Sequence, residues 1–532
     1  MMSRIGWLLP DRRIAGVISV SAAIFFLAFS GKFTPPRDAL NFIEASEIRQ
    51  HLNFLASDSL KGRNTPSPEL NLAAHYIADR FKEYGLTPVN GNYFQTFHVS
   101  RVRLGKENHF TLIKNGKSTE YRIKRDYMPM DVTGSKAVEG DLVFVGYGIT
   151  APEYQYDDYA NVDVSGKIVL ILRHEPGEKD PQSSFEGRKL SPYGQVKMKV
   201  QNAIDHGAVG ALIVTDPLNH RAIRPRGFPW PSLFPNLPDE AIPLTLSITE
   251  KQKIPVVGIS KKVVRALFGS VDSLRRLQER IDADLKPQSC LLAGIRVQLQ
   301  TSTVGEDEAT QNVVGWIEGR DRNLKNEVVV FGAHYDHVGV MKNAAAGVDS
   351  IYNGADDNAS GTSLLLALAA AFGRSPVKPR RSVLFIAFAG EEKGLFGSRA
   401  YVEKPLFPLE NTVAMLNFDM VGRNAPDTVM VGGVTHSPDL IRINEQENRF
   451  VGLKLAYSLE PFYARSDQYN FGRHQIPYLF YSTGLHEDYH KVTDHAYKIN
   501  EYKIAMIAKL AFRVGWRVAN SGERLRFVEK KK

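Results

Sequence analysis

Histidines and paired carboxylates recur at five places in the C-terminal half of this sequence, and together they could bind metal. His334, Asp336 and His337 stand in Gly332-Ala333-His334-Tyr335-Asp336-His337. Asp356 and Asp357 stand in Asn353-Gly354-Ala355-Asp356-Asp357-Asn358-Ala359-Ser360-Gly361. Glu391 and Glu392 follow Gly390, and Asp419 follows Leu416-Asn417-Phe418. His486, Asp488, His490 and Asp494 share one short segment. Gathered at one place, such groups form a costly cluster of like charge unless a counter-ion joins them. A divalent metal is that counter-ion. Histidine and carboxylate without thiolate suit zinc, and less specifically manganese or cobalt. A carboxylate shared by two ions would hold them about 3.5–4 Å apart, where both can act on a water and a carbonyl oxygen. Taken singly, Glu-Glu reads as a surface pair, His-x-Asp as a local hydrogen bond, and Asp-Asp-Asn-Ala-Ser-Gly as a turn and helix cap. Their co-occurrence favours metal.

The surrounding pattern says what must position them. Val328–Phe331 and Val383–Phe388 are continuous apolar runs, and Val413–Phe418 is one broken only by Asn417. The first, second and third end just before His334, Glu391 and Asp419. Gly361–Phe372 and Leu395–Val402 read as helices between them. Apolar strands alternating with helices predict an α/β fold with a mostly parallel sheet, flanked by helices on both faces. Ligands of such sheets sit beyond the carboxyl ends of the strands. Further upstream, Ser67, Pro68 and Gly85 punctuate a scaffold helix whose apolar face is Leu70, Ala74, Ile77, Phe81 and Tyr84.

From about Lys136 to Ala293 the texture changes. Asp141–Val145, Lys167–Leu172, Ala211–Val214 and Ile254–Ile259 read as short strands, with a helix over Gln195–His206. This predicts a separate, smaller α+β module at 136–293, without a defensible catalytic cluster. Within it Pro225, Pro229, Pro231, Pro235, Pro238 and Pro243 exclude regular structure and suggest a rim or lid. The other expected segments are a linker at 31–43, a first catalytic-domain part at 44–135, a second at 294–520 carrying the metal site, and a basic tail at 521–532.

The 532 residues are enough for two to four domains. Sixty-seven Lys and Arg against 58 Asp and Glu leave a small, dispersed excess, and no motif points to nucleic acid. The one cysteine, Cys290, excludes a disulfide framework and a cysteine-built zinc site. Arg4, Arg12 and Arg13 precede an apolar run from Ile14 to Ser30, the layout of a signal peptide or N-terminal anchor at 1–30. The expected location is exported: periplasmic, extracellular or anchored on the outer side of the inner membrane. Membrane contact is expected only through such an anchor, and no cysteine follows to carry a lipid.

These segments resemble the M28 family of co-catalytic metallopeptidases, over about Glu44–Thr133 and Thr301–Ala519, and the module between them resembles a protease-associated (PA) domain. The resemblance implies the zinc exopeptidase fold with an inserted PA-like domain, two divalent ions, most simply zinc, and a peptide substrate. It implies His334, Asp357, Glu392, Asp419 and His490 as metal ligands, with Asp357 bridging and Asp356 the weaker bridging candidate. Glu391 would be the general base, Asp336 would orient His334, and Asp494 would lie near His490. His337 and His486 take no role from the family. Lys491 and Val492 stand where the family pattern has Thr-Pro. A site rich in carboxylates suits a protonated substrate amine, which favours an aminopeptidase. A carboxypeptidase or dipeptidase would need an arginine for the substrate carboxylate, for which Arg465 is the first candidate and Arg423 the second. Glutaminyl cyclase and receptor-like relatives are the alternatives of another class, separable by metal content.

Overall fold

The computed structural model describes residues 34–529, apart from 186, 188–190, 235–242, 248–252 and 343. The signal or anchor expected at 1–30 lies outside the described residues, as do Pro235 and Pro238 of the proline-dense segment and the last three residues of the tail. Among the described residues no helix is long and apolar enough to cross a membrane. The described residues form two compact units, one from 34–99 with 308–529 and the other within 100–307.

In the first unit, Ser382–Phe388, Val328–His334, Thr412–Phe418 and Tyr478–Ser482 lie side by side and parallel. Every residue of these four strands is buried, which is why three of them read as largely apolar runs. Antiparallel partners flank them: Val313–Ile317 pairs with Ser382–Phe388, and Thr428–Gly432 with Tyr478–Ser482. The sheet is therefore mixed around a parallel centre.

Aromatic rings fix the alignment of the central strands. Phe331 stacks on Phe385 at 5.4 Å and on Phe418 at 6.3 Å, across three neighbouring strands. Phe372 of the buried helix Gly361–Gly373 packs on Phe331 and Phe385 and meets Phe512 of the long helix Glu501–Asn520 at 4.4 Å. Each such ring is worth about 1.5–3 kcal/mol of burial. The resulting register puts His334 opposite Phe388, so the strands end level and their chemistry-bearing continuations start together. The scaffold helix spans Pro68–Glu83, with the Leu70 amide donating to Ser67 Oγ at 3.0 Å and Gly85 at φ 82° beyond its end.

The second unit has its own sheet, running Lys117–Glu120, His109–Lys114, Cys290–Thr301, Lys136–Phe144, Ile168–Leu172, Gly210–Val214, Val256–Ile259 and Tyr127–Pro129. Lys136–Phe144 through Val256–Ile259 are mutually parallel. Helices Val196–Asp205, Lys261–Phe268 and Val271–Asp284 complete it. This unit is wider than the 136–293 expected, because His109–Lys114 and Tyr127–Pro129 pair into the same sheet as the later strands. The expected linker also differs: Arg37–Asn41 is a short helix with Ala39 buried. Part of the proline-dense segment is pinned. Trp230 is buried, and its indole donates to Pro129 O at 2.9 Å.

Candidate metal centre

Four strand ends supply the site. His334 is the last residue of its strand, Asp419 directly follows Thr412–Phe418, and Glu391 and Glu392 follow Ser382–Phe388. His490 lies in the loop beyond Tyr478–Ser482. Asp357 comes from the buried segment Ala355–Ser360 that leads into the helix Gly361–Gly373.

The side chains form two groups. In one, His334 Nε2 lies 3.3 Å from Asp357 Oδ1 and 3.4 Å from Asp419 Oδ1. In the other, His490 Nε2 lies 3.0 Å from Asp357 Oδ2 and 3.2 Å from Glu392 Oε2, and His337 Nδ1 lies 2.8 Å from Glu392 Oε1. Within each group the facing donor atoms fall within 4.8 Å of one another. Asp357 belongs to both, one oxygen to each. Asp356 faces elsewhere: the Gly422 amide donates to its Oδ1 at 2.7 Å, and its Oδ2 lies 3.3 Å from His486 Nε2.

The donor set fits metal. His334 Nε2 and His490 Nε2, the nitrogens that face these carboxylates, are buried atoms without a hydrogen-bond partner, although buried polar atoms are ordinarily satisfied. Each group combines imidazole with carboxylate, the set that zinc takes. His334, Asp357 and Asp419 could hold one ion. Asp357, Glu392 and His490 could hold the second, with His337 a further candidate donor that sequence reasoning left without a role.

Neighbours hold these donors in place. Asp336 Oδ1 accepts from the Glu391 amide at 3.1 Å and lies 3.7 Å from His334 Nδ1, while Thr65 Oγ1 donates to its Oδ2 at 3.0 Å. Asp494 Oδ2 accepts from the amides of Asp356 and Asp357 at 2.9 and 3.2 Å. Thr362 Oγ1 donates to His334 O at 2.7 Å. Arg63 was not singled out from sequence. It is buried and donates to the carbonyls of Leu55, Tyr335, Asn353 and Gly354, bracing the segments on either side of His337 and Asp357. A lone arginine at the end of the short turn Asp58–Arg63 has no period or motif to betray it. Arg465, the candidate for a substrate carboxylate, ends a short turn and is exposed, and Arg423 is engaged by Asp488 at 2.8 Å.

Without metal the groups share protons. Burial lowers the His334 pKa, but Asp419 and Glu391 outweigh it and hold the imidazole well above its usual range. Burial also opposes a charged His490, yet its contacts with Asp357 and Glu392 raise it to about 10. Burial pushes the Glu391 carboxyl well up, reinforced by Asp419, Glu392 and Asp467.

Residues 312–514 match peptidase family M28, and residues 138–267 match the PA domain. These matches place a peptidase family M28 segment in the C-terminal part of the chain and a PA domain before it. The chain is 25% identical over 470 residues to aminopeptidase NAALADL1 of Mus musculus, covering 77% of this chain and 60% of that protein. It is 28% identical over 305 residues to aminopeptidase YwaD of Bacillus subtilis (strain 168), covering 56% of this chain and 48% of that one. Its span is thus about half to three fifths of the length of these relatives. The solved structure of the aminopeptidase from Aneurinibacillus sp. strain AM-1 is similar at 21% identity and a TM-score of 0.45, covering 92% of this chain and 96% of that one.

Because His490 binds a proton up to about pH 10 in the metal-free chain, zinc must displace that proton. Zinc uptake by the stripped protein should release protons, and its affinity should rise by about tenfold per pH unit between pH 6 and 8 for each proton displaced. Zinc titrations at several pH values measure this. An affinity flat across that range would contradict the assignment of His490 as a ligand.

Proposed function

We propose that this chain is an exported, metal-dependent aminopeptidase that removes N-terminal residues from peptides, using two divalent ions and Glu391 as general base. The observation that carries the reading is Asp357, one carboxylate shared between two histidine–carboxylate groups. His334, Asp357 and Asp419 would hold one ion, and Asp357, Glu392 and His490 the other. When bound, the pair would polarise the scissile carbonyl and make a water acidic enough to attack it at neutral pH.

The chain's own residues supply the rest. Glu391 takes the proton of the attacking water and delivers it to the leaving amine. A carboxyl pushed upward by burial and neighbouring carboxylates suits a group that must accept and return a proton. Asp336 aims this base by accepting from the Glu391 amide, and it restrains the His334 ring beside it. Among the described residues no serine or cysteine nucleophile is needed for this chemistry.

Cleavage at the amino end follows from charge. Carboxylates outnumber fixed cations around the site, which favours a protonated α-amine over a free carboxylate. Arg465 is exposed and Arg423 is held by Asp488, so neither is presented as a carboxylate fork. Both curated relatives cited above are aminopeptidases, which supports the same choice. Export rests on the cationic start and the apolar run from Ile14 to Ser30.

Three outcomes test this reading. Stripping the metal should abolish hydrolysis and zinc or cobalt should restore it, while Glu391→Gln should cut turnover by about two to four orders of magnitude with metal content nearly intact. Near-normal turnover in Glu391→Gln would remove it from its role. An unblocked aminoacyl anilide should be cleaved and its N-acetylated twin should not, as followed by anilide release. Equal cleavage of both would shift the proposal to a carboxypeptidase or another acyl-transfer activity. Finally, Met1–Pro36 fused to a reporter active only after export should give signal, and a silent but expressed cytosolic fusion would refute export.

A further inference from the structure

The second unit holds a set of side chains that neither the catalytic proposal nor the family match uses. His174, Glu178, Asp216 and His220 each turn one nitrogen or oxygen toward a common point, all four within 4.8 Å of one another. His220 Nε2 lies 3.0 Å from Glu178 Oε2, and His174 Nδ1 lies 3.6 Å from the same oxygen. His174 Nδ1 also pairs closely with Asp216 Oδ2, which is 3.9 Å from His220 Nε2. Four ligands at about 2.0 Å from a tetrahedral zinc would stand about 3.3 Å apart, inside the spread of these contacts.

Three further features mark a built site. Asp216 is fully buried, and the His174 amide donates to its Oδ1 at 3.2 Å, leaving Oδ2 for the shared point. The rings of His174 and His220 stack at 4.5 Å with 25° between their planes. Two imidazolium ions would repel in that arrangement, whereas neutral rings present lone pairs to a cation. With both rings neutral, Glu178 and Asp216 leave two negative charges, matched by one divalent ion. The location also fits. Ile168–Leu172 and Gly210–Val214 are adjacent parallel strands that end together at Leu172 and Val214. His174 and Asp216 each stand two residues beyond those ends, where open α/β sheets take ligands.

We infer that this cluster is a separate divalent-metal site of zinc type, distinct in residues from the two groups that share Asp357. It would clip the turn carrying His174 and Glu178 to the turn carrying Asp216 and His220. No substrate or open coordination position is required of it, because two imidazoles and two carboxylates complete a four-ligand structural site.

The test uses the untagged full-length chain, loaded with Zn2+, freed of excess and counted for metal per chain. His174→Gln with His220→Gln should lose one zinc relative to the parent and keep its peptidase activity. His490→Ala with Asp357→Asn should lose catalytic-site zinc yet keep the zinc of this cluster, so failure of one assignment does not carry the other with it. An unchanged zinc count in the His174→Gln, His220→Gln variant would overturn the proposal. If that variant folds poorly, His220→Gln alone, on the more exposed side, should weaken one zinc by more than about tenfold, since even the partners of ligands are worth that much. Unaltered affinities for every bound zinc in that single variant would overturn it equally.

Discussion

Negative charge held in a buried space is the constraint on which the catalytic-type unit is organised. Asp357 and Asp419 both lie within 3.4 Å of one imidazole nitrogen, and Glu392 shares His490 with Asp357. Two like charges 4 Å apart repel by about 4 kcal/mol at an effective dielectric constant of 20. That repulsion is relieved by positive charge nearby or by a proton on a carboxylate. In the metal-free chain the positive charge is that of protonated His334 and His490, together with Arg63. Burial lowers the Arg63 pKa to about 10, and Asp336, Asp357, Asp494 and Glu392 keep it from falling further. Arg63 thus does two jobs at once. Its guanidinium ties loop carbonyls together, and its charge makes the carboxylates tolerable without occupying a ligand's place. An apolar residue of similar volume would leave those carbonyls unpaired inside the protein, which is the expensive case.

The same constraint explains why the Asp357 segment has so little freedom. Gly354 has φ 56°, and a Cβ there would come within 2.5 Å of the His337 ring and 2.3 Å of Asp357 O. At Gly361 a Cβ would meet Phe418 O at 2.4 Å. Both glycines let the segment press against the ends of two strands. Asn358 then joins it to the loop after Phe418, donating to Phe418 O at 2.9 Å and accepting from the Met420 amide at 3.2 Å. Asp494 caps the amides of Asp356 and Asp357 from the His490 loop. A carboxylate from the His490 loop thus holds the backbone of the Asp357 segment, so the two histidine–carboxylate groups are set by a single network and not by independent loops.

Much of this could be read in advance where burial and chemistry leave a local mark. The strands ending at His334, Phe388 and Phe418 are dominated by apolar residues because both faces are covered, and their carboxyl ends announce the site. The carboxylate pairs Asp356-Asp357 and Glu391-Glu392 are visible as letters. Which member of the first pair faces inward was an expectation drawn from likeness, and in the structure the choice is made by Gly422 and His486, distant in sequence. Arg63 gives no signal of its own, being a single residue at the end of a short turn, while His337 is visible in its motif but takes no role from the likeness. The boundary of the second unit was hidden for a different reason. His109–Lys114 pairs with Ile295–Gln300 across about 180 residues of chain, and nothing local in either strand names its partner.

A parallel strand pair is a natural place to assemble such donors, and both units use it. Adjacent strands lie about 4.8 Å apart, and a parallel register ends them level, so residues just beyond the ends are brought within reach of each other without bending the sheet. The first unit does this with His334 and Asp419, which continue neighbouring strands. The second does it with His174 and Asp216, which continue Ile168–Leu172 and Gly210–Val214. In each case the strand interior is buried and dominated by apolar residues, which supply the stability. The residues past its end are then free to be unfavourable by themselves. The aromatic stack of Phe331, Phe385 and Phe418 and the aliphatic strands of the second unit thus have the same role: they fix where the chain stops being strand, and so where charge can be concentrated. Changes that shift strand register by one residue would move every such donor to the other face of the sheet. The chemistry of this protein is therefore anchored in its apolar core as firmly as in its histidines and carboxylates.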